Sequence, residues 1–436
     1  MSKILLILRE FEEQSIKYCS WKNNHELSIA IDGNSDLDLL VDENKKGEVE
    51  NILIKNEWIE ALNTSIISSK VKHYYFIDSD NYFHIHLYYK LYTGHSWLKE
   101  YHISEENNIL NTAIKDPIFN IFIPRYDYAK SIYKFRENIK KSSLSGRILY
   151  FLESESYLKE MQFIDSYSEL LEQKKDLLIR RRFSKIKSSY FFLKTFLNRV
   201  KKKILRQKKI LSPKGVLIII LGADGSGKTT LAKGIKKVFA NIFSTYTVNV
   251  GRPYGKIVNS LLDLIYLTKN KNKRLINNQS KNQKKSLFFS IKSIVIALLR
   301  FRACIVASRK ASKGFLVICD RWPSVNNSFI DGPRINDKST KINKLLSNLE
   351  VFIYDKIPMV DLCIKLDVDL ENVLQRNRQR EKFAKETDSE IIIRYKQSFD
   401  LSINAYEEVL ISNNYGPKEF YNKFFKVFRK FMSSSH

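Results

Sequence analysis

Between residues 216 and 239 the chain passes from an unbroken apolar run to a helical pattern, and this predicts a buried strand that turns directly into a helix. Val216-Leu-Ile-Ile-Ile-Leu221 is apolar at every position, a glycine-rich turn follows, and residues 231–239 continue as helix. Similar buried runs recur at Phe315-Leu-Val-Ile-Cys319 and at Leu362-Cys-Ile-Lys-Leu-Asp-Val368, and Thr245-Tyr-Thr-Val-Asn-Val250 reads as a further strand. A helix is predicted over 294–311, and Asp369 is the expected N-cap of another. Strands alternating with helices predict an α/β fold with a parallel sheet flanked by helices.

The first part of the chain is patterned differently. Residues 2–18 carry Ile4, Leu5, Leu8, Phe11 and Ile16 with acids between them, an amphipathic helix. A strand over 18–22 follows. A polar turn then opens onto a strand bearing Asp36 and Asp38, which share one face because side chains alternate along a strand. The run 78–81 reads as a hairpin turn leading to strand 82–88, with His84 and His86. From 97 to about 178 the period is helical, marked by Tyr126, Ala129, Ile132, Tyr133 and Phe135 on one face and Leu149, Leu152, Tyr157, Leu158 and Met161 on another. The expected organisation is an α+β domain with helical completion over 1–178, a basic helical linker over 179–213 and an α/β domain over 214–436.

Charge bears on partners. The net charge is +27, and residues 180–214 hold many Lys and Arg and no acid, with Tyr190, Phe191, Phe192 and Phe196 among them. Such a segment is either a solvated helix or a contact for an anionic membrane face or a nucleic acid backbone. The four cysteines, Cys19, Cys304, Cys319 and Cys363, have no zinc-site spacing and are expected to be free thiols in a reducing cytoplasm. No run is long enough for a membrane span, so a soluble or peripheral protein is expected, and a homodimer stays open.

The chemistry concentrates in Gly222-Ala-Asp-Gly-Ser-Gly-Lys-Thr-Thr230. A glycine turn between a buried strand and a helix aims backbone N–H groups at one point, where the helix dipole also favours phosphate. The spacing Gly-x-x-x-x-Gly-Lys-Thr assigns Gly222, Asp224, Gly225, Ser226, Gly227, Lys228, Thr229 and Thr230 to nucleotide binding, with Lys228 on the β and γ phosphates and the Thr229 hydroxyl available to Mg2+. Asp320, at the end of a buried strand, is expected beside this loop as a metal-organising or base-like carboxylate. ATP and Mg2+ are the implied cofactors.

Together with Asp320-Arg321-Trp322 and the Leu-Asp-Val strand leading to Arg376, Arg378 and Arg380, this loop resembles the thymidylate kinase family of nucleoside monophosphate kinases over roughly residues 214–421. The resemblance implies that Asp224 contacts a sugar hydroxyl of the acceptor, that Arg252 and Arg321 hold its phosphate, and that Arg376, Arg378 and Arg380 form a closing lid and act in catalysis alongside Lys228 and Asp320. Two departures bear on the acceptor: Pro323-Ser-Val-Asn-Asn-Ser stands where the family reads the base, and the second-strand signature is reduced to Arg252-Pro253. These departures leave thymine specificity open, and a nucleoside monophosphate is the acceptor the family implies; pairing with a nucleotidyltransferase-like half resembles proteins of bacterial surface-polysaccharide synthesis, which implies a related sugar or glycan phosphate instead. Residues 1–90 resemble the nucleotidyltransferase-like superfamily through Asp36-x-Asp38, which implies a second metal site. Ser20-Trp-Lys22 replaces that family's glycine-serine pair, and His84 and His86 stand where a third carboxylate belongs. The alternatives to a kinase are nucleotidyl transfer at Asp36 and Asp38, or an ATP-switched protein that binds nucleic acid or membrane.

Overall fold

The computed structural model describes residues 2–66, 70–79, 81–142, 151, 153–167, 175–223, 225–248, 250, 278–325, 331–336, 340–379, 387–399 and 403–434. The chain forms two compact units, Met1–Pro213 with Phe425–His436, and Lys214–Phe424.

In the first unit the strands are β1 (Tyr18–Ser20), β2 (Asp36–Val41), β3 (Ile59–Leu62), β4 (Lys72–Ile77), β5 (Tyr82–Tyr88), β6 (Leu91–Thr93), β7 (Tyr101–Ile103), β8 (Ile114–Lys115), β9 (Phe122–Ile123), β10 (Ile179–Arg181) and β11 (Ile210–Leu211). Among the described residues the main sheet has the order β1-β2-β5-β4-β3-β11, with β2 and β5 parallel and the other neighbours antiparallel. Alternation divides its faces. Leu37, Leu39 and Val41 of β2, Tyr74 and Phe76 of β4, and Ile85 and Leu87 of β5 join Ile4, Ile7, Leu8 and Phe11 of helix Lys3–Glu13 in one core. The intervening positions of the same strands supply the opposite face, which is apolar near Leu40 and Tyr88 and polar near Asp36, Asp38, His73, His84 and His86.

The stretch 179–213, expected as a linker, is built into this unit. β10 pairs antiparallel with β7, β11 closes the sheet edge against β3, and the helix Lys185–Ile204, capped by Ser184, lies between them in sequence. Phe192 stacks on Trp97 at 5.3 Å, and the Arg182 guanidinium lies 3.8 Å above the Tyr92 ring. The charged ends take part in these contacts: the Arg182 guanidinium also donates to Lys99 O at 2.7 Å, and that of Arg199 lies 4.8 Å from the Trp97 ring. Residues 97–178 also differ from the expectation of helix throughout: β7, β8 and β9 interrupt them before helices Tyr126–Lys141 and Ser154–Ser166.

The second unit holds β12 (Val216–Leu221), β13 (Thr245–Val248), β14 (Leu316–Cys319), β15 (Val360–Asp367) and β16 (Ala405–Ser412). All its pairings are parallel, in the order β13-β14-β12-β15-β16. β12 is central and buried at every position, as its apolar composition requires. Its neighbours on either side follow it in the chain, so the strand order reverses at its carboxyl end, where open α/β sheets leave a ligand crevice. Helix Lys228–Phe239 covers the sheet with Leu231, Ala232, Ile235 and Phe239. Helix Asn278–Ala311 buries Cys304, Ala307 and Ala311 in the core that holds β12 and β14. The cysteines are free and buried, and burial raises the thiol pKa of all four. Among the described residues no helix is long and apolar enough to cross a membrane.

Candidate phosphate-binding site and a histidine-carboxylate cluster

The crevice at the end of β12 is shaped by backbone. Gly222, Gly225 and Gly227 have φ of +148°, +98° and +93°, a region that strains any side chain bearing a Cβ. At Gly222 an added Cβ would also lie 2.9 Å from Ser226 Oγ and 3.0 Å from Leu366 Cβ. Gly227 serves as the N-cap of helix Lys228–Phe239, so the helix's first N–H groups open into the loop.

Lys228 folds back over this loop. Its Nζ donates to the carbonyl oxygens of Gly222 at 2.9 Å and Ala223 at 2.8 Å. One residue on, Thr229 Oγ1 donates to Asp320 Oδ2 at 3.2 Å. The pairing follows from topology: β14 is the parallel neighbour of β12, with Cys319 opposite Ile219, so Asp320 emerges at the same sheet edge as the loop. A hydroxyl beside a carboxylate is a donor set of hard oxygens and fits Mg2+. Ser226 Oγ is buried with no hydrogen-bond partner among the described residues, and Ser226 is one of the residues lining a cavity of about 410 Å³ with Gly222, Ala223, Leu366, Asp367 and Tyr395.

Residues that the motif does not contain hold the loop in place. Asn413, just past β16, is buried; its Nδ2 donates to Ser226 O at 2.8 Å and its N–H to Asp367 O at 2.8 Å. Arg376 Nη2 in turn donates to Asn413 O at 2.7 Å. Arg376 therefore supports the loop's scaffold, whereas Arg378 makes an exposed ion pair with Asp388 at 2.6 Å. Arg321 approaches Asp331 Oδ2 at 3.8 Å, and the same carboxylate is fixed by buried Arg300 at 2.6 Å. Thr230 is exposed on the first turn of the helix. Asp224, Arg252 and Arg380 lie outside the described residues. Asn413 escaped sequence reasoning; its signal was its position at the carboxyl end of a strand, the edge that already carries Asp320.

In the first unit, β2 and β5 run parallel with Asp36 opposite His84 and Asp38 opposite His86, and β4 brings His73 opposite His86. His84 Nδ1 makes a short hydrogen bond with Asp36 Oδ1, and His86 Nδ1 lies 3.3 Å from Asp38 Oδ1. His73 Nδ1 and His84 Nε2 are 3.2 Å apart. Asp38 also accepts from Lys22 Nζ at 2.7 Å and from Asn23 Nδ2 at 3.0 Å. Burial alone would raise both carboxylates; the hydrogen bond from His84 holds Asp36 below the usual range, and Lys22 with His86 holds Asp38 well below it. Burial lowers His84 to about 4 and His73 further still, so both imidazoles are neutral at pH 7. Asp38 is thus engaged by an ammonium and Asp36 by an imidazole, and this donor set does not fit a pair of Mg2+ ions, which require oxygen ligands in octahedral array. His73, Lys22 and Asn23 were not read from the sequence as members of this group.

No family model and no curated protein matches the chain. Among solved structures, a thymidylate kinase from Candida albicans aligns at 17% identity and TM-score 0.31, covering 50% of this chain and 93% of that one. A deoxyadenosine kinase from M. mycoides aligns at 12% identity and TM-score 0.30, covering 49% of this chain and 98% of that one. At these scores neither likeness carries weight for what the chain does.

Proposed function

We propose that the second unit is an ATP-dependent phosphotransferase that passes the terminal phosphoryl group to a small phosphate-bearing acceptor, a nucleoside monophosphate or a sugar or glycan phosphate. The observation that carries this reading is the conjunction at one sheet edge of the Lys228 ammonium over a glycine loop with Thr229 Oγ1 against Asp320. In phosphoryl transfer the protein's work is positioning and countercharge, and these groups supply both. Loop N–H groups and the start of helix Lys228–Phe239 bind the phosphates. Lys228 exchanges its two carbonyl partners for β and γ oxygens, so the ammonium is already in the loop before nucleotide arrives. Thr229 and Asp320 would hold Mg2+, which when bound neutralises charge on the bridging phosphates. In this reading Arg321, partly exposed beside Asp331, grips the acceptor phosphate. The γ-phosphorus forms a bond to an acceptor oxygen as its bond to the β,γ-bridging oxygen breaks, and ADP leaves.

The test is a screen of nucleoside monophosphates, sugar phosphates and glycan phosphates with ATP, read as acceptor-dependent ADP release. The parent chain is expected to turn over with one acceptor class, and Lys228→Ala to lose turnover by about 100-fold or more, as for loss of one preorganised group facing the transition state, with unchanged circular dichroism. Undiminished turnover in Lys228→Ala removes the assignment.

A further inference from the structure

The polar face of the first unit's sheet carries a second grouping whose chemistry differs from that of the phosphate loop. One nitrogen from each of His73, His84 and His86 lies within 4.8 Å of the others. Two of the three rings are oriented by carboxylates: Asp36 takes the Nδ1 side of His84, and Asp38 takes the Nδ1 side of His86. A carboxylate on one ring nitrogen fixes the tautomer and leaves the lone pair of the other nitrogen for a metal, the usual arrangement behind histidine ligands; on His86 that other nitrogen, Nε2, also lies 3.5 Å from Asp36 Oδ2, so Asp36 stands beside the ion position. His84 Nε2 and His73 Nδ1 are 3.2 Å apart and share a hydrogen bond that an ion would replace. Two nitrogens bound to one tetrahedral ion at about 2.0–2.1 Å are separated by about 3.3 Å, so the pair is already spaced for a shared ion.

We propose that His73, His84 and His86 bind one divalent transition metal of the Zn2+ class through three imidazole nitrogens. Neutral imidazole suits Zn2+, Co2+, Ni2+ and Cu2+ far better than Mg2+ or Ca2+. Asp38, held by Lys22 and Asn23, is an orienting group, and Asp36 orients His84. Tyr75 packs flat against His84, with ring centroids 4.0 Å apart and planes 10° apart, which fixes the ring that sits deepest. His73 and His84 are buried, but the side chains of His86 and Asp36 are 20% and 46% exposed, so the fourth coordination position opens toward solvent. Three protein nitrogens and an open fourth position are the pattern of a site that can hold water or a substrate oxygen.

The experiment uses the full chain stripped with chelator and titrated with Zn2+ alone, with Co2+ as a spectroscopic probe. The expected result is uptake of one equivalent, visible Co2+ absorption of tetrahedral intensity, and no displacement by millimolar Mg2+. His84→Gln and His86→Gln should each abolish the Co2+ spectrum. Asp36→Asn retains all three ligands and should weaken Zn2+ binding by about 10- to 100-fold. If His84→Gln fails to fold, by circular dichroism, the partly exposed His86→Gln decides the matter. Absence of stoichiometric uptake, or uptake that persists unchanged in His86→Gln, overturns the proposal. The readout is independent of ATP turnover, so failure here leaves the phosphotransferase reading untouched, and the reverse also holds.

Discussion

In the second unit the polar groups that meet at the sheet edge come almost wholly from one turn of backbone, Gly222 to Thr229, with Asp320 supplied by the neighbouring strand. In the first unit they come from β2, β4 and β5 and from the loop that carries Lys22 and Asn23, and nothing about the backbone there is unusual except Asn23 itself, at φ +59°. One site is thus shaped by where the main chain can go, the other by which side chains are held against each other across strands. The two should fail in different ways: the first through added atoms or lost backbone partners, the second through lost side-chain partners.

The largest effect is expected behind the histidine cluster. Buried Glu160 forms an ion pair at 2.6 Å with the partly buried Arg136; Glu160 Oε1 also accepts from the Asn23 N–H at 3.1 Å, and Arg136 Nη2 donates to Asn23 Oδ1 at 3.1 Å. Asn23 then donates to Asp38. Arg136→Met leaves the Glu160 carboxylate buried without its countercharge, a loss of about 3–5 kcal/mol, measured on the first unit's denaturant transition. Its Zn2+ affinity should fall as well, because Asn23 no longer holds Asp38. In the parent chain burial would raise the Glu160 pKa, but Arg136, with the Asn23 N–H and His25, outweighs it and holds the group below the usual glutamate range. A depressed carboxyl contributes stability above its unfolded pKa and loses it as pH falls through the folded value, so the first unit should weaken below about pH 4.5. In Arg136→Met the main opposing charge is gone and only the Asn23 N–H and His25 still act against burial, so the loss of stability on acidification should shrink. A variant with parent stability and parent Zn2+ affinity would show that the cluster does not depend on this chain of side chains.

The same difference explains what could be read without coordinates. The glycine loop's shape was legible because its constraints are local: glycines at fixed spacing, a buried run before them and a helix after. The strand with Asp36 and Asp38 and the strand with His84 and His86 were legible from period-two alternation, and the turn before the latter from its Asp, Ser and Asn residues. Their juxtaposition was not, since alternation says which face a residue takes but not that β2 and β5 are parallel neighbours, nor that His73 lies one strand over. The run 179–213 was misread because its charge dominates the pattern, and three-residue β10 and two-residue β11 are too short to show a period. The C-terminal helix Pro417–Ser434 carries Phe420, Phe424, Phe425 and Phe428 at helical spacing, yet no spacing could assign Phe425–His436 to the first unit, where Arg429 pairs with Glu57 at 3.0 Å.

Two smaller perturbations sharpen the contrast from the other side. Asn413→Ala removes the donor to Ser226 O, a loss of about 1–3 kcal/mol when the acceptor stays buried, read on the second unit's transition, with a matching loss of ATP affinity as the loop loses its anchor. Gly227→Ala adds one methyl group where φ is +93°, at a cost of about 1–2 kcal/mol. The new Cβ would stand 3.1 Å from Asn413 Nδ2, so it also presses on the anchor itself. Because Gly227 caps the helix whose first N–H groups face the loop, even a small shift re-aims the donors, and ATP affinity measured by calorimetry should fall by more than stability does. If Gly227→Ala bound ATP as tightly as the parent, the loop would be adapting its main chain to the phosphates, and backbone geometry would no longer separate this site from the one assembled by side chains.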